Sequence, residues 1–483
     1  MKIKISIFLR RGFWKIFTAS ALVLTLTGKY PTTTFAEPQE TRPEGTITVR
    51  VTAADKRYAL VDPLRWHRAT GKPGTNTIVI LPSQKQQPIL GFGAALTDAA
   101  CYMINQMPET EREKLLHELF DPKATGFNVC RLAIGSSDYA RAMYSFDEGE
   151  PDPELKRFSI EHDRSYILPI IRSAREINPD LFLFASPWSP PGWMKDNNSM
   201  FGGTIRKHFL EAYANYFVKF LQAYKDAGVE INSVSSQNEV DTDQDSKMPA
   251  CLFPQEIEVG FVSQDLGPAL EAAGLKTKIW LLDHNYNLWG RAIAELDDTN
   301  VNKYTKCVAW HGYVGKPEWV EKVLAVHPDA EMYWTEGGQH FDDEDYATCW
   351  SKWSSKVTDI LRNGMRCVIG WNMALDETGK PNIGPYKCAG LVTINSQTKE
   401  VTRSGQFWAF AHYARAMQRN AVVIGSEGEV TNVQHVAVIN PDRQFAVVLT
   451  NNGKAPTTVQ MREGSSAVKV DLPADSVTTL TWK

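Results

Sequence analysis

The stretch that decides the fold is "IRKHFLEAYANYFVKFLQAYKDAGVEINSVSSQNE", residues 205–239. Its first part carries an aromatic and apolar stripe at helical spacing, which predicts a helix packed on a core. Its end, "INSVSSQNE", alternates polar and apolar side chains as a strand does and stops on Asn238 and Glu239. Because successive side chains of a strand point to opposite faces, these two serve one pocket only if the chain bends there. A site demands such a bend more often than a core does.

The alternation of helices with short apolar runs continues through the middle of the chain. Eight runs are predicted strands: "ILGFGAAL" (89–96), "GFNVCRLAIGS" (126–136), "LFLFASPW" (181–188), "INSVSSQNE" (231–239), "KIWLLDHN" (278–285), "CVAWHGY" (307–313), "EMYWTEGG" (331–338) and "CVIGWNMAL" (367–375). Predicted helices between them include "ETEREKLLHELF", "HDRSYILPIIRSAREI", "PEWVEKVLAVH" and "YATCWSKWSSKVTDILRNG". This pattern predicts an α/β fold, a (β/α)₈ TIM barrel with its active site at the carboxyl ends of the strands. A doubly wound sheet is the rival, but no Gly-rich dinucleotide fingerprint follows a strand.

The two ends of the chain have a different pattern. "GTITVRVTA" and "NTIVILP" near the start, and six short runs after residue 421, alternate like strands between Gly, Asn, Pro and Asp residues. They predict an attached β-sandwich built from both chain ends. The expected domains are a signal peptide (1–36), a linker with N-terminal sandwich strands (37–88), a catalytic barrel (89–420) and a C-terminal β-sandwich (421–483).

The first 36 residues have the pattern of a secretory signal peptide. Five basic residues precede the apolar run "IFTASALVLTLTG", which is short for a membrane span, and a small-residue site lies near Ala36. We expect cleavage after about Ala36 and a secreted or periplasmic protein, with an uncleaved anchor as the alternative. Cleavage removes six Lys/Arg and no Asp/Glu, so the formal charge falls from −4 to −10. An acidic chain disfavours nucleic acid and anionic lipid as partners, and uncharged substrates fit better.

Seven cysteines lie far apart, with no CxxC and no Cys/His pair at metal spacing. Export permits disulfides, but the odd number leaves at least one thiol unpaired within the chain. We expect several of them to be small core residues in apolar strands, and we predict no particular bridge.

The predicted strands end on polar and aromatic side chains, which a barrel gathers at one rim. Glu239 ends the fourth run and Glu336 the seventh, so they face each other across the mouth. A carboxyl pair about 5–5.5 Å apart is the arrangement for retaining glycoside hydrolysis, in which one attacks the anomeric carbon and the other protonates the leaving oxygen. Arg131 and Tyr313 favour an ionised nucleophile, while burial raises the pKa of the acid. Trp188 and Trp371 suit the flat face of a sugar ring, and Asp98 and Asn372 suit its hydroxyls.

Other interpretations of these residues remain open. Asp98 in "LTDAA" has the composition of a helix cap, and a Glu at a strand end is usually a solvated or ion-paired residue. His284, His311 and His340 with Asp283 suggest a metal-dependent hydrolase, but such barrels also need an early His-x-His, which is absent from the first run. We therefore expect no metal, no organic cofactor and no effect of a chelator, with His311 donating a hydrogen bond or lying in the wall. A non-catalytic carbohydrate-binding protein is a further alternative.

Several motifs resemble those of glycoside hydrolase family 30, which includes acid glucosylceramidase and bacterial β-1,6-glucanases. They are "GFGAALTDAA", "CRLAIGSSDYARAMYSFDE", "ASPWSPPGWMKDNNSM", "SSQNEV", "YWTEGG" and "GWNMALDETGKPN", in the family's order from about residue 89 to 390. The resemblance implies a retaining mechanism with Glu239 as acid/base and Glu336 as nucleophile. It also implies sugar contacts by Asp98, Trp188, Asn238 and Trp371, and a β-sandwich beside the barrel. One departure is Asn-Glu-Val in place of the frequent Asn-Glu-Pro, which puts the leaving-group side in doubt.

The resemblance favours a β-glucosidic substrate, either a β-linked oligo- or polysaccharide or a simpler glycoside. Xylan, galactan or fucoside substrates stay open, as do exo or endo action and the oligomeric state. No amphipathic lipid-docking helix is evident, and no stable membrane insertion is expected after signal cleavage.

Overall fold

The computed structural model describes residues 45–483, so the predicted signal peptide lies outside the described residues. Eight parallel strands close into a barrel, which confirms the prediction from the apolar runs. We number them barrel strands 1 to 8: Gly91–Ala95, Val129–Ala133, Phe182–Ser186, Ser233–Ser235, Lys278–Asn285, Cys307–His311, Glu331–Glu336 and Met365–Gly370. Strand 8 pairs with strand 1 and closes the ring.

The interior of the barrel is filled by side chains from several strands. Trp280 stacks on Tyr333 with ring centroids 4.0 Å apart and on Phe184 at 4.4 Å. Cys367 and Ile369 complete this layer, and all of these side chains are buried. The barrel is therefore a packed core whose chemistry is confined to its rim.

Helices surround the barrel between the strands. Their bounds are Asp98–Asn105, Glu109–Phe120, Glu161–Arg164, Ile167–Ile177, Leu210–Asp226, Gln255–Gly260, Gly267–Ala272, Trp289–Asp297, Thr299–Asn302, Val320–Val326, Trp350–Arg362 and Gly405–Ala414. A π-helical segment, Phe261–Leu266, joins Gln255–Gly260 to Gly267–Ala272, and five short 3₁₀ turns lie at Gly192–Met194, Lys207–Phe209, Gln244–Ser246, Tyr286–Leu288 and Pro317–Trp319. Each crossover thus returns the chain to the start of the next parallel strand.

One predicted helix is divided in two. The segment "HDRSYILPIIRSAREI" forms Glu161–Arg164 and Ile167–Ile177, with Tyr166 outside helical geometry between them. Pro169 explains the break, because it has no N–H for a bond to the carbonyl four residues earlier and is tolerated only in a first turn. The second helix therefore starts just before the proline.

The two chain ends share a ten-stranded sheet that encloses its own apolar core. The N-terminal strand Thr46–Ala53 lies between Lys56–Arg65 and the last strand, Ser476–Trp482. Thr77–Pro88 pairs with Val422–Glu427 and Thr457–Glu463. The remaining strands are His67–Arg68, Val433–Ile439, Phe445–Asn451 and Ser466–Leu472. The prediction of a sandwich built from both ends is confirmed.

A small sheet follows the barrel and supports a long loop at its mouth. It consists of Ala374–Leu375, Val392–Ile394 and Val401–Arg403. All seven cysteines are buried and unpaired, three of them within barrel strands. Within residues 45–483, the helices are all too short or too polar to cross a membrane.

A buried histidine joins the barrel to the sandwich. His412, on helix Gly405–Ala414, has one ring nitrogen 2.8 Å from the Thr52 hydroxyl and the other 2.7 Å from the Thr479 hydroxyl. Burial, together with the charges of Arg415 and Arg50, lowers the pKa of His412 to about 3. The ring is therefore neutral in the folded protein at any pH above about 3.

His412 predicts a loss of stability in acid. Its folded pKa lies below the unfolded value, so the stability is complete above about pH 6.5 and is lost as the pH falls toward the folded pKa. We expect a loss of roughly 3 kcal/mol by pH 4.5 from this group. Urea unfolding of the wild type and His412→Gln measures it, with the exposed His208→Gln as control. A His412→Gln slope equal to that of the wild type between pH 6.5 and 4.5 would contradict this account.

Candidate active site

The chain bends at the end of barrel strand 4, as its sequence required. Regular pairing stops at Ser235, and Glu239 adopts φ +53°, in the left-handed region. The bend is fixed by two hydrogen bonds, from the Asn238 N–H to the Pro187 carbonyl at 2.8 Å and from the Glu239 N–H to the Asp283 carbonyl at 3.0 Å. Both side chains therefore reach the same rim.

A cavity of about 500 Å³ opens at this rim and is lined by both carboxylates. Glu239 and Glu336 approach the same buried imidazole. His311 Nδ1 is 3.4 Å from Glu239 Oε1, and His311 Nε2 is 3.8 Å from Glu336 Oε2. The structure thus brings the two predicted catalytic residues together, on strands at opposite sides of the barrel.

Arg131 is the cation that holds this site together. Its guanidinium is fully buried and donates to Glu336 Oε2 at 2.5 Å, Asn238 Oδ1 at 2.6 Å and Asp283 Oδ2 at 2.7 Å. It also lies 4.7 Å from the ring centroid of Trp188. Since a buried charge is stable only when it is paired, Arg131 and these acceptors form one unit.

Asp283 is a second buried anion at the base of the site. A bulge at Leu282 and Asp283, with φ +70° and +45°, turns its carboxylate inward. Besides Arg131, the side chains of Ser186, Ser235 and Thr335 donate to it at 2.5–2.7 Å, and His311 Nε2 lies 3.0 Å away. Burial raises the pKa of Asp283, but Arg131 and His311 outweigh it, so the carboxyl stays ionised.

His311 is the second cation of the site. Burial lowers its pKa, but the negative charges of Glu336, Asp283 and Glu239 outweigh burial and raise it to about 9. Glu239, His284 and His311 place possible ligand atoms within 4.8 Å of one another. A protonated His311 repels a metal ion, so the group is better suited to balancing carboxylate charge than to binding a cation.

The surroundings shift the pKa values of the two glutamates in opposite directions. For Glu336, burial and the charges of Glu239 and Asp283 raise the pKa, although His311 and Arg131 oppose them. For Glu239, burial also raises the pKa, but hydrogen bonds and charges from His311, His284 and Gln244 lower it below its ordinary value. The surroundings thus move the two carboxyl pKa values apart, that of Glu336 upward and that of Glu239 downward.

Two stacked tryptophans form an aromatic wall of the cavity. Trp188 and Trp371 have ring centroids 5.1 Å apart and an interplanar angle of 21°, and each is nearly fully buried. Tyr313, at the opposite side, donates its hydroxyl to Glu336 Oε1 at 3.0 Å. Arg131 and Tyr313 together fix both oxygens of Glu336.

Two predicted sugar contacts lie beside the cavity lining. Asp98 begins helix Asp98–Asn105, but Thr97 provides the cap, and the Asp98 carboxylate accepts bonds from the Tyr166 hydroxyl, the Arg141 N–H and the His162 ring. Asn372 is buried and accepts a 2.9 Å bond from the Thr97 hydroxyl. Substrate contact by Asp98 and Asn372 stays a prediction.

Asp138 is a site residue that was not predicted from the sequence. It lies in the quoted motif "GSSDYA", lines the cavity and is 3% exposed, with Oδ1 lacking any hydrogen-bond partner. Burial raises its pKa, and the charges of Glu336 and Glu239 raise it further. The signal that identifies it is an acidic residue just after barrel strand 2, the same position that made other strand ends candidates.

Removing the charge of Arg131 is expected to shift the pH dependence of kcat/KM. Arg131→Met removes the buried cation that contacts Glu336 and Asp283, so we expect the acidic limb of kcat/KM on an aryl glycoside to move up by about 1–3 pH units. Arg131→Lys, which keeps the charge, should move it less and secures the test if the Met variant does not fold. Arg175→Met, on an outer helix, is the control. An unmoved limb in a folded Arg131→Met variant would show that Arg131 does not act on Glu336.

A closed barrel with two carboxyl groups across its mouth is the architecture of a barrel glycosidase. The Glycosyl hydrolase family 30 TIM-barrel domain matches residues 89–417, and the Glycosyl hydrolase family 30 beta sandwich domain matches residues 420–480. The chain belongs to glycosyl hydrolase family 30. It is a hydrolase of glycosidic bonds, as the sequence analysis predicted.

Relatives and solved structures of known name are similar over most of the chain. An endo-1,6-β-D-glucanase of Neurospora crassa is 32% identical over 440 residues, which cover 85% of this chain and 90% of that protein. The lysosomal acid glucosylceramidase of Mus musculus is 28% identical over 439 residues, covering 85% and 84%. A solved endo-β1,6-glucanase superimposes with a TM-score of 0.82 at 29% identity, covering 91% of this chain and 99% of that one.

Proposed function

We propose that the chain is an exported retaining β-glycosidase that cleaves β-glucosidic linkages, with Glu336 as nucleophile and Glu239 as acid/base. This proposal rests on one observation: the two carboxylates of the cavity are held by different hydrogen bonds. Both oxygens of Glu336 are held, by Arg131 and by Tyr313, as an attacking carboxylate requires. Glu239 keeps Oε2 turned toward the loops at the cavity mouth, where a leaving group departs.

The geometry supports a two-step reaction. In the first step, Glu336 attacks the anomeric carbon, the bond to the leaving oxygen breaks, and Glu239 gives that oxygen its proton. In the second step, Glu239 takes a proton from water, whose oxygen attacks the same carbon and releases the Glu336 carboxylate. Two displacements on one carbon retain the configuration. His311 and Arg131 stabilise the negative charges throughout without exchanging groups with the sugar.

The proposed place of the cleaved sugar is between the two tryptophans and Asp138, a buried acid whose Oδ1 has no hydrogen-bond partner. Trp188 and Trp371 offer an apolar wall, and Asp138 offers a hydrogen-bonding group inside the same cavity. Asn238 lies behind this lining, where its Oδ1 accepts from Arg131. Asp138 is the group whose free oxygen still needs a partner, which a sugar hydroxyl supplies. These four residues, with His311 and Tyr313 at the glutamates, form the proposed substrate site.

We expect Asp138→Asn and Asp138→Leu to have different effects on kcat/KM. Its raised pKa favours the neutral carboxyl, which an amide mimics, so Asp138→Asn should keep kcat/KM within about tenfold of the wild type. Asp138→Leu, similar in size but without polar atoms, should lose about 10- to 100-fold on the same glycoside. Equal losses in the two variants would show that shape, and not hydrogen bonding, is what Asp138 contributes.

The β-glucosidic substrate is supported by the named relatives, which are endo-1,6-β-glucanases and glucosylceramidases. Xylan, galactan or a fucoside is the alternative within the family. A panel of aryl β-glycosides, β-1,6-glucan, xylan and glucosylceramide tests the choice, with chain-length analysis of the released sugar and Glu336→Gln as control. Monosaccharide alone means an exo-acting glycosidase; oligosaccharides mean an endo-glycanase. Sugar binding without any turnover would favour a non-catalytic binding protein.

We also propose how the chain is divided into domains, that it is exported, and that it needs no cofactor. We propose a signal peptide over residues 1–36, a linker and N-terminal sandwich strands over 37–88, the barrel over 89–420 and the C-terminal sandwich over 421–483. The basic and apolar pattern of the first residues supports secretion or periplasmic export. The reaction described above uses two glutamates and water, so no cofactor is required.

A further inference from the structure

The two oxygens of Glu239 have different surroundings. Oε1 faces the barrel wall, 3.4 Å from His311 Nδ1 and 3.6 Å from His284 Nδ1. Oε2 faces the loops of the cavity mouth and accepts a short hydrogen bond from Gln244 Nε2. Among residues 45–483, Gln244 is the one hydrogen-bond donor to Oε2. The oxygen that is open to substrate is therefore already capped by a protein amide.

Gln244 is held from its other side as well. Tyr386 donates its hydroxyl to Gln244 Oε1 at 2.5 Å. Gln244 lies on the loop after barrel strand 4 and Tyr386 on the loop after barrel strand 8, and both line the cavity. The amide thus bridges two loops across the mouth, directly over Glu239.

The backbone that carries Gln244 is in an unfavourable conformation. Gln244, Asp245 and Ser246 have φ of +55°, +50° and +55°, three successive non-glycine residues in the left-handed region. Asp243 holds this turn, since its carbonyl accepts from the Ser246 N–H and its carboxylate from the Asp245 N–H. Gln244 is half-buried and Tyr386 is 46% exposed. Withdrawal of Gln244 would therefore uncover little apolar surface.

The hydrogen bond from Gln244 and the one to a leaving-group oxygen cannot form at Glu239 Oε2 at the same time. An amide N–H donates to a carboxylate, whereas the reaction needs a carboxylic acid that donates to the leaving oxygen, which is an acceptor. Gln244 and the leaving oxygen thus require the same position on Oε2 and opposite protonation states of Glu239.

We propose that Gln244 is a positioning residue that substrate displaces: its amide caps Glu239 Oε2 in the free enzyme, and the leaving-group oxygen takes its place. The inference rests on the proposed function, because it requires Glu239 to be the acid. Departure of the amide removes one of the donors that lower the pKa of Glu239, so Glu239 holds a proton more readily when substrate enters. The capped state is then the resting form, and a polar leaving group is what opens it.

Other charged and titratable groups surround Glu239 and are unchanged by a substitution of Gln244: His311, His284, Glu336, Asp138, Asp241, Arg131, Tyr313 and Tyr386. Their combined effect is common to the wild type and to any Gln244 variant. The difference between the two therefore isolates the amide. Loss of this donor raises the pKa of Glu239, because burial, which also raises it, is then less opposed.

The test is the pH dependence of kcat/KM, which reports the free enzyme up to the first irreversible step. One substrate is a β-1,6-linked oligosaccharide, whose leaving alcohol needs a proton, and the other is the 2,4-dinitrophenyl glycoside, whose leaving group does not. For Gln244→Ala, we expect the basic limb with the oligosaccharide to rise by about 0.5–1 pH unit and KM to fall. Tyr386→Phe, which loosens the amide, should shift the limb less and in the same direction.

Gln397→Ala, an exposed glutamine in a turn, is the control. An unmoved basic limb in Gln244→Ala, or an equal shift with the dinitrophenyl glycoside, would overturn the proposal. If Gln244→Ala does not fold, the Tyr386→Phe limb decides by the same criterion. Failure of the proposed function is distinguishable, since the wild type would then turn over neither substrate.

Discussion

Glu336→Gln is expected to lower kcat on an aryl β-glycoside by about 10⁴-fold or more, because no other group in the cavity replaces a covalent nucleophile. The amide keeps the size of the side chain and still meets Arg131 and Tyr313, so the fold should be retained. Glu331→Gln is the matched control, because Glu331 begins the same barrel strand at the opposite end and pairs with Arg366. Retention of more than a tenth of the wild-type rate would remove Glu336 from the mechanism.

A truncated variant identifies the role as well as the importance of Glu336. In Glu336→Ala, azide fits the space of the missing carboxylate and attacks the anomeric carbon directly. One displacement inverts the configuration, so an α-glycosyl azide is expected from a β-glycoside. A β-glycosyl azide from this variant would mean that Glu336 is the acid/base.

Glu239→Ala is the second large effect and should depend on the leaving group. With an alcohol leaving group, kcat/KM should fall by about 10²–10⁴-fold, because the proton donor is lost. With a 2,4-dinitrophenyl glycoside the first step needs no proton, so the glycosyl-enzyme should form and then accumulate. Added azide needs no general base, so it should restore turnover and give the β-glycosyl azide. Equal losses on both substrates, without rescue, would contradict the role of Glu239.

The architecture was predictable because burial leaves a direct record in the sequence. Most barrel strands, covered on both faces, are continuous apolar runs, and strand 4 is an alternating one; the eight predicted runs overlap all eight strands. The sandwich strands, with turn residues between them, were equally clear. Glu239 and Glu336 were identifiable because each ends a strand, and a barrel brings strand ends together.

What escaped prediction depends on backbone geometry and on contacts between distant loops. The inward turn of Asp283 requires two left-handed residues, Leu282 and Asp283, and neither is the glycine that usually signals such a conformation. Gln244 acquires its role only because Tyr386, 142 residues later, lies across the mouth. Asp138 was visible in its motif, but its isolation from partners follows from packing that no local pattern encodes. The division of residues 161–177 was decided by a single proline.

The pairing of the first described strand with the last has a consequence for how the molecule is made. Thr46–Ala53 pairs with Ser476–Trp482. The first of these strands is synthesised early, but it cannot form this pairing until the last residues of the chain have been made. In the sequence, the barrel lies between the N-terminal and C-terminal strands of the sandwich. It can therefore begin to fold before the sandwich sheet is complete. A polypeptide that ends before Ser476 therefore lacks an inner strand of the sandwich sheet. Such a product is marked for proteolysis by its open edge, however well its catalytic half has folded.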